Sequence, residues 1–189
     1  MNGLKVVQRI GKGYSSEIFL VEFQGKKFVI KKERAKSPRV EMVKKEVENL
    51  LLANSAGIGP KLFAFDFENK AILMEHVEAI TFNEWLFRHN PEKKQLKKFI
   101  QRLFFQAKKL DKIGLDHGQL AGRGKNILVR KKDFMPVIID FEKASAKRKC
   151  HNVSQLESLF YWSKHSAITK RVAEILSGKE QVLASSLKE

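Results

Sequence analysis

Two oxygen-bearing side chains, Asn126 and Asp140, stand out by what flanks them: Asn126 opens the apolar run Ile127 to Val129, and Asp140 closes the run Val137 to Ile139 inside an Asp-Phe-Glu tripeptide. A carboxylate and an amide carbonyl are hard oxygen donors of the kind Mg²⁺ takes while keeping several waters. Each alone has an ordinary explanation, since Asn before a strand is usually a turn residue and Asp after one is often a surface carboxylate. Their pairing changes that. The two runs are β-rich and separated by the polar turn Arg130-Lys131-Lys132-Asp133, so they read as a hairpin that brings both donors to one sheet edge. Just upstream lies His117-Gly118-Gln119-Leu120.

Near the other end of the chain, Ile10 to Val21 reads IGKGYSSEIFLV, a glycine turn between short apolar strands. Gly11 and Gly13 let the backbone approach phosphates that a side chain would keep away, although a Gly-x-Gly pair also makes an ordinary hairpin turn. About ten residues on, Phe28-Val29-Ile30-Lys31 reads as a strand ending in lysine. A helix is expected from Ser37 as N-cap and Pro38 as first helical residue toward Ala53. Val43, Val47, Leu50 and Leu51 form its apolar stripe. Glu46 lies roughly 85° from that stripe and Glu48 roughly 115°, at about 100° per residue. Glu46 is therefore the glutamate placed to meet Lys31, the alternative being a solvated charge paired with a lysine one turn away.

Gly57-Ile58-Gly59-Pro60 breaks the chain, and strands are expected around Leu62 to Phe67 and Ala71 to Val77. From Glu92 to Lys112 the pattern is helical, with Leu96, Phe99, Ile100, Leu103, Phe104, Ala107 and Leu110 on one face and a largely basic remainder. Two further helical patterns carry Val153, Leu156, Leu159 and Phe160, then Ile168, Val172, Ile175 and Leu176. At 189 residues the chain can bury a sizeable core, as one domain or two small lobes.

The glycine turn, the Val-Ile-Lys strand end, the helical glutamate, the His-Gly-x-Leu loop, the Asn before its strand and the Asp-Phe-Glu, in that order, resemble the minimal atypical Ser/Thr protein kinases, including the RIO family and short archaeal kinase-like proteins. The resemblance runs from about Ile10 to about Leu159, without an Ala-Pro-Glu element. It implies an α+β, bilobal protein-kinase-like fold. Residues 1–77 would form an N-lobe of antiparallel sheet plus one helix, and residues 78–189 a reduced, mostly helical C-lobe. ATP would lie between them, with Gly11, Gly13 and Lys31 at its phosphates, Glu46 holding Lys31, Glu75 to Val77 forming a hinge at the adenine edge beside Met74, and Asn126 and Asp140 holding Mg²⁺. The activity implied is transfer of the γ-phosphate to a hydroxyl, with a protein or ribonucleoprotein as substrate.

The chain departs from that pattern in two places. Ser16 replaces the third glycine of the loop, and Gln119 stands where the family carries its catalytic aspartate. A glutamine positions a hydroxyl but is no general base. Three explanations are open: Asp116 supplies the missing carboxylate; transfer proceeds slowly on Lys31, the metal and Arg123 or Lys125 by electrostatic stabilisation; or nucleotide is bound without transfer, as in an ATP-dependent switch or scaffold on RNA or a ribonucleoprotein.

Charge and composition bound the rest. With 37 Lys and Arg against 21 Asp and Glu the formal net charge is +16, a field that favours polyanions, so RNA binding through a basic surface is an expected addition. The single cysteine, Cys150, excludes an internal disulfide and a cysteine-based zinc site and fits a reducing cytoplasm. The five histidines show no metal spacing. No transmembrane run or signal peptide is read, so no membrane association is expected.

Overall fold

The computed structural model describes residues 3–13, 15–34 and 42–178. Its first part is an antiparallel sheet of five strands, β1 (Lys5–Lys12), β2 (Ser16–Phe23), β3 (Lys26–Glu33), β4 (Leu62–Asp66) and β5 (Ala71–Glu75), in the order β1-β2-β3-β5-β4. Gln24 and Gly25 join β2 to β3 with φ of 49° and 73°, a two-residue turn whose backbone twist matches that of the strands. Helix α1 (Met42–Ser55) lies against the sheet, and Val43 and Val47 pack on Ile72 and Met74. The expected N-cap Ser37 and first residue Pro38 lie outside the described residues.

The second part starts with the short strand β6 (Ala79–Thr81), which runs into α2 (Phe82–Arg88). Thr81 caps α2, its Oγ1 accepting from the Glu84 N–H at 3.1 Å. Helix α3 (Lys93–Lys112) opens on a capping box between Glu92 and Gln95. It buries the expected face, Leu96, Phe99, Ile100, Leu103, Ala107 and Leu110, with Phe104 half-buried. The expected hairpin is β7 (Ile127–Arg130) with β8 (Pro136–Ile138), and β6 adds to it as a third antiparallel strand. The penultimate helical pattern splits into α4 (Asn152–Glu157) and a wider π turn over Ser158–Trp162, and α5 (Ala167–Ser177) follows.

One large core joins the two parts. Phe82 stacks on Phe99 (centroids 5.4 Å apart) and meets Phe160 edge-on at 5.7 Å, while Leu50, Ala53 and Ile58 reach into the same cluster from the α1 side. Helix α1 thus packs on both parts, through Val43 and Val47 on one side and Leu50 and Ala53 on the other. The fold is mixed α+β, with its antiparallel sheet and its helices largely segregated along the chain.

Candidate functional site

A cleft of about 840 Å³ is lined from both parts, by Gly13, Ser16, Val29 and Lys31 of the sheet and by Gln119, Asn126, Leu128 and Asp140 of the second part. That volume is within the range of small-molecule sites. Its wall carries an ion-pair cluster.

Lys31, 8% exposed, points from β3 and donates to Glu46 of α1 at 2.8 Å and to Asp140 Oδ1 at 2.9 Å. Glu142 lies 3.8 Å from the same ammonium. Burial works to lower the Lys31 pKa, but the charges and hydrogen bonds of Glu46 and Asp140 outweigh it and hold the ammonium above its ordinary value. Burial raises Glu46, 4% exposed, and the nearby negative charges of Asp140 and Glu142 add to that against the pull of Lys31. Three carboxylates on one lysine leave an excess of negative charge at the cleft wall.

Asp140 owes its position to its neighbours. Its own backbone is left-handed, φ 68° and ψ 69°, an unfavourable conformation for a side-chain-bearing residue. On one side Ile139 donates its N–H to the Asn126 carbonyl at 3.0 Å and accepts from His117 Nε2 at 3.0 Å. On the other, Phe141 is buried against Leu50, Gly59 and the His117 ring. Asn49 of α1 then donates to the carbonyls of Phe141 and Ala144, at 3.1 and 2.8 Å. Gly59 shows how tight this seat is, since a Cβ there would come within 2.9 Å of the Phe141 ring. His117 is thus a brace, and its burial lowers its pKa.

The other sequence-derived candidates sort by place. Gly13, Met74, Glu75 and Val77 line the cleft, the last three where β5 passes toward β6. Gly11 sits in β1 opposite Ile18, where a Cβ would come within 3.2 Å of the Ile18 side chain, and it is not among the cleft-lining residues. Gln119 and Lys125 line the cleft, whereas Arg123 holds φ 58° and accepts from Asn83 Nδ2 through its carbonyl at 2.9 Å.

Asp116 sits apart from the cleft. It is 3% exposed and is not among the cleft-lining side chains. Its Oδ2 accepts from Arg148 Nε, and its Oδ1 accepts from the His151 N–H at 3.0 Å and from Gln155 Nε2 at 3.2 Å. Its backbone bridges to Ser145. With both oxygens engaged and a guanidinium beside it, Asp116 is a structural counter-ion clamping the loop to the segment after Asp140. Gly118 makes room for that clamp, because a Cβ at its φ of 76° would fall 2.0 Å from Arg148 Nη2.

Glu142 is a candidate ligand that the sequence reading passed over. Ligand oxygens of Glu46, Asp140 and Glu142 all lie within 4.8 Å of one another, a donor set of hard oxygens that suits Mg²⁺. The signal was present in the Asp-Phe-Glu tripeptide, since the turn over Phe141–Lys143 brings the next carboxylate round toward Asp140. No protein-family model matches the chain, and a search of curated proteins finds no match. No helix of the described residues is long and apolar enough to cross a membrane.

Proposed function

We propose that the chain has a kinase-like bilobal architecture, binds Mg-ATP in the cleft and transfers the γ-phosphate to a hydroxyl acceptor, with Ser/Thr side chains the leading class. The observation that carries this reading is the buried Lys31, ion-paired with Glu46 and Asp140, so that β3, α1 and the segment after β8 meet at one cleft wall. Phosphoryl transfer demands chiefly positioning and charge neutralisation, and a lysine fixed between carboxylates at the edge of an 840 Å³ cleft is built for both.

In this reading Lys31 donates to phosphate oxygens and Glu46 keeps it extended toward them. The backbone near Gly13 covers the phosphates, and the Glu75 to Val77 segment meets the adenine edge. Asp140, with Asn126 and Glu142 in support, holds Mg²⁺, which when bound neutralises charge on the β- and γ-phosphates. Gln119 orients the acceptor hydroxyl without taking its proton, and Lys125 adds positive charge at the same cleft.

A second reading, nucleotide binding without efficient transfer, as a switch or scaffold on RNA or a ribonucleoprotein, is favoured by one specific observation: both Asp116 oxygens are engaged, by Arg148, His151 and Gln155, outside the cleft lining. Incubation with γ-labelled ATP and Mg²⁺ separates the two. Label transfer that disappears in Asp140→Ala and persists in Gln119→Ala supports transfer without a loop base. Mg-dependent ATP binding with no transfer to any protein or to the chain itself supports the switch. An Asp140→Ala variant that binds ATP and transfers label like the native protein refutes both.

A further inference from the structure

Helix α3 spends one face on the core and turns a lysine-rich face to solvent. Lys94, Lys97, Lys98, Lys108, Lys109 and Lys112 are all exposed and fall within a sector of about 120° on a helix about 30 Å long. No acidic residue shares that sector. The single carboxylate of α3, Asp111, is turned to α4, where it accepts from Asn152 Nδ2 at 2.7 Å and from the Asn152 N–H at 3.2 Å. Among the described residues none of the six lysines is ion-paired.

This arrangement works against the helix itself. Lys94 and Lys98, and Lys108 and Lys112, are like charges one turn apart, which destabilise a helix where Glu–Lys pairs would support it. Lys93 and Lys94 stand in a first turn that holds no acid, against the positive end of the helix dipole. A face selected only to be wetted would mix both signs; a polyanion lying along this one relieves the repulsion. In the middle of the stripe stands Phe105, 61% exposed. Lys109 Nζ lies over its ring, 5.2 Å from the centroid, and donates to the Ala56 carbonyl at 3.2 Å. Tyr161, 46% exposed, stacks on Phe104 at the flank of the stripe. Lysines for phosphates around exposed rings for bases are the two parts of a single-strand binding surface.

We infer that the solvent face of α3 binds single-stranded RNA, with the lysines on its phosphates and a base stacked on Phe105. A duplex keeps its bases stacked on one another, whereas RNA loops and ends offer unpaired ones. A membrane surface fits less well, because the apolar side of α3 is already buried in the core and cannot enter lipid. None of these side chains lines the cleft, so RNA binding and nucleotide binding can each fail without the other.

The test follows the anisotropy of a fluorescein-labelled oligouridylate about twelve nucleotides long on the full chain, with an abasic strand of the same length as its charge match. Saturable binding is expected at low salt. Log affinity should fall against log salt with a slope of about −3, the release expected for roughly four to five phosphates at about 0.7 each. Phe105→Ala is expected to weaken the oligouridylate about tenfold, the scale of one base stacked on an aromatic ring, and to leave the abasic strand unchanged. Lys94→Glu with Lys98→Glu weakens both strands, and Lys26→Glu with Lys27→Glu, the same charge change on exposed residues of β3, has a much smaller effect. No saturable binding, equal affinity for the two strands with Phe105→Ala silent, equal losses from the two lysine pairs, or preferential binding to phosphatidylserine vesicles would each overturn the inference.

Discussion

Removing Lys31 isolates the energetics of the cleft wall. In Lys31→Met the thioether fills much of the same space, but Glu46, 4% exposed, loses its partner while Asp140 and Glu142 remain within 4.8 Å. Breaking a buried pair from one side costs about 3–5 kcal/mol, because a charge is left without compensation. That is a large part of a total stability on the order of 5–15 kcal/mol. With a urea slope of about 1–3 kcal/mol/M, the unfolding midpoint falls by roughly 1–3 M. The loss depends on pH in a definite sense. Burial already holds Glu46 above its ordinary value, and removing the ammonium raises it further. Between the unfolded and folded pKa values the native state then binds more protons than the unfolded chain, so stability falls as pH rises and returns as pH drops. Adding Glu46→Gln to Lys31→Met removes the stranded charge and recovers most of the loss at neutral pH. Urea titrations of native, single and double variants across pH provide the measurement. A Lys31→Met protein within about 1 kcal/mol of native and insensitive to pH would refute the buried-pair reasoning.

Other perturbations reach the supporting parts of the site. Gly118→Ala forces a Cβ onto Arg148; thermal melts should show a loss of about 3 kcal/mol or more, and Gly118→Ala combined with Arg148→Ala should be no worse than the single change, because both strand Asp116. Burial lowers the His117 pKa, so acid charges it more readily in the unfolded chain. Its contribution to stability is present above the unfolded imidazole pKa of about 6.5 and is lost as pH falls through and below it; His117→Gln should flatten that part of the stability profile. If a hydroxyl is the acceptor, Gln119→Asp supplies the absent base at the cleft and should raise label transfer by about 10²–10⁴-fold, read in single-turnover assays with γ-labelled ATP.

Much of this arrangement was legible in the residues because it rests on local patterns. The β7–β8 hairpin, the apolar face of α3 and the choice of Glu46 over Glu48 all follow from periods of two and 3.6 residues, and Glu46 is the glutamate found bonded to Lys31. What escaped is long-range or short-lived along the chain. Arg148 and Asp116 are 32 residues apart, and no spacing rule links them, so the ion pair that engages Asp116 was not legible. Strand β6 is three residues long and runs directly into α2, too brief for alternation to register. Glu142 lay in plain sight, but only the turn after Asp140 brings it to Glu46. Gly11 and Gly13 show the limit from the other side: equal in the sequence, one faces Ile18 and the other lines the cleft.

Calorimetric titration of ATP with and without Mg²⁺, on the native chain and on Asp140→Ala, tests the central claim most directly. The account predicts saturable ATP binding that tightens when Mg²⁺ is added, a metal effect largely lost in Asp140→Ala while its fold, followed by circular dichroism, persists. Absence of ATP binding to the folded native chain, or binding that neither Mg²⁺ nor Asp140→Ala alters, would contradict it.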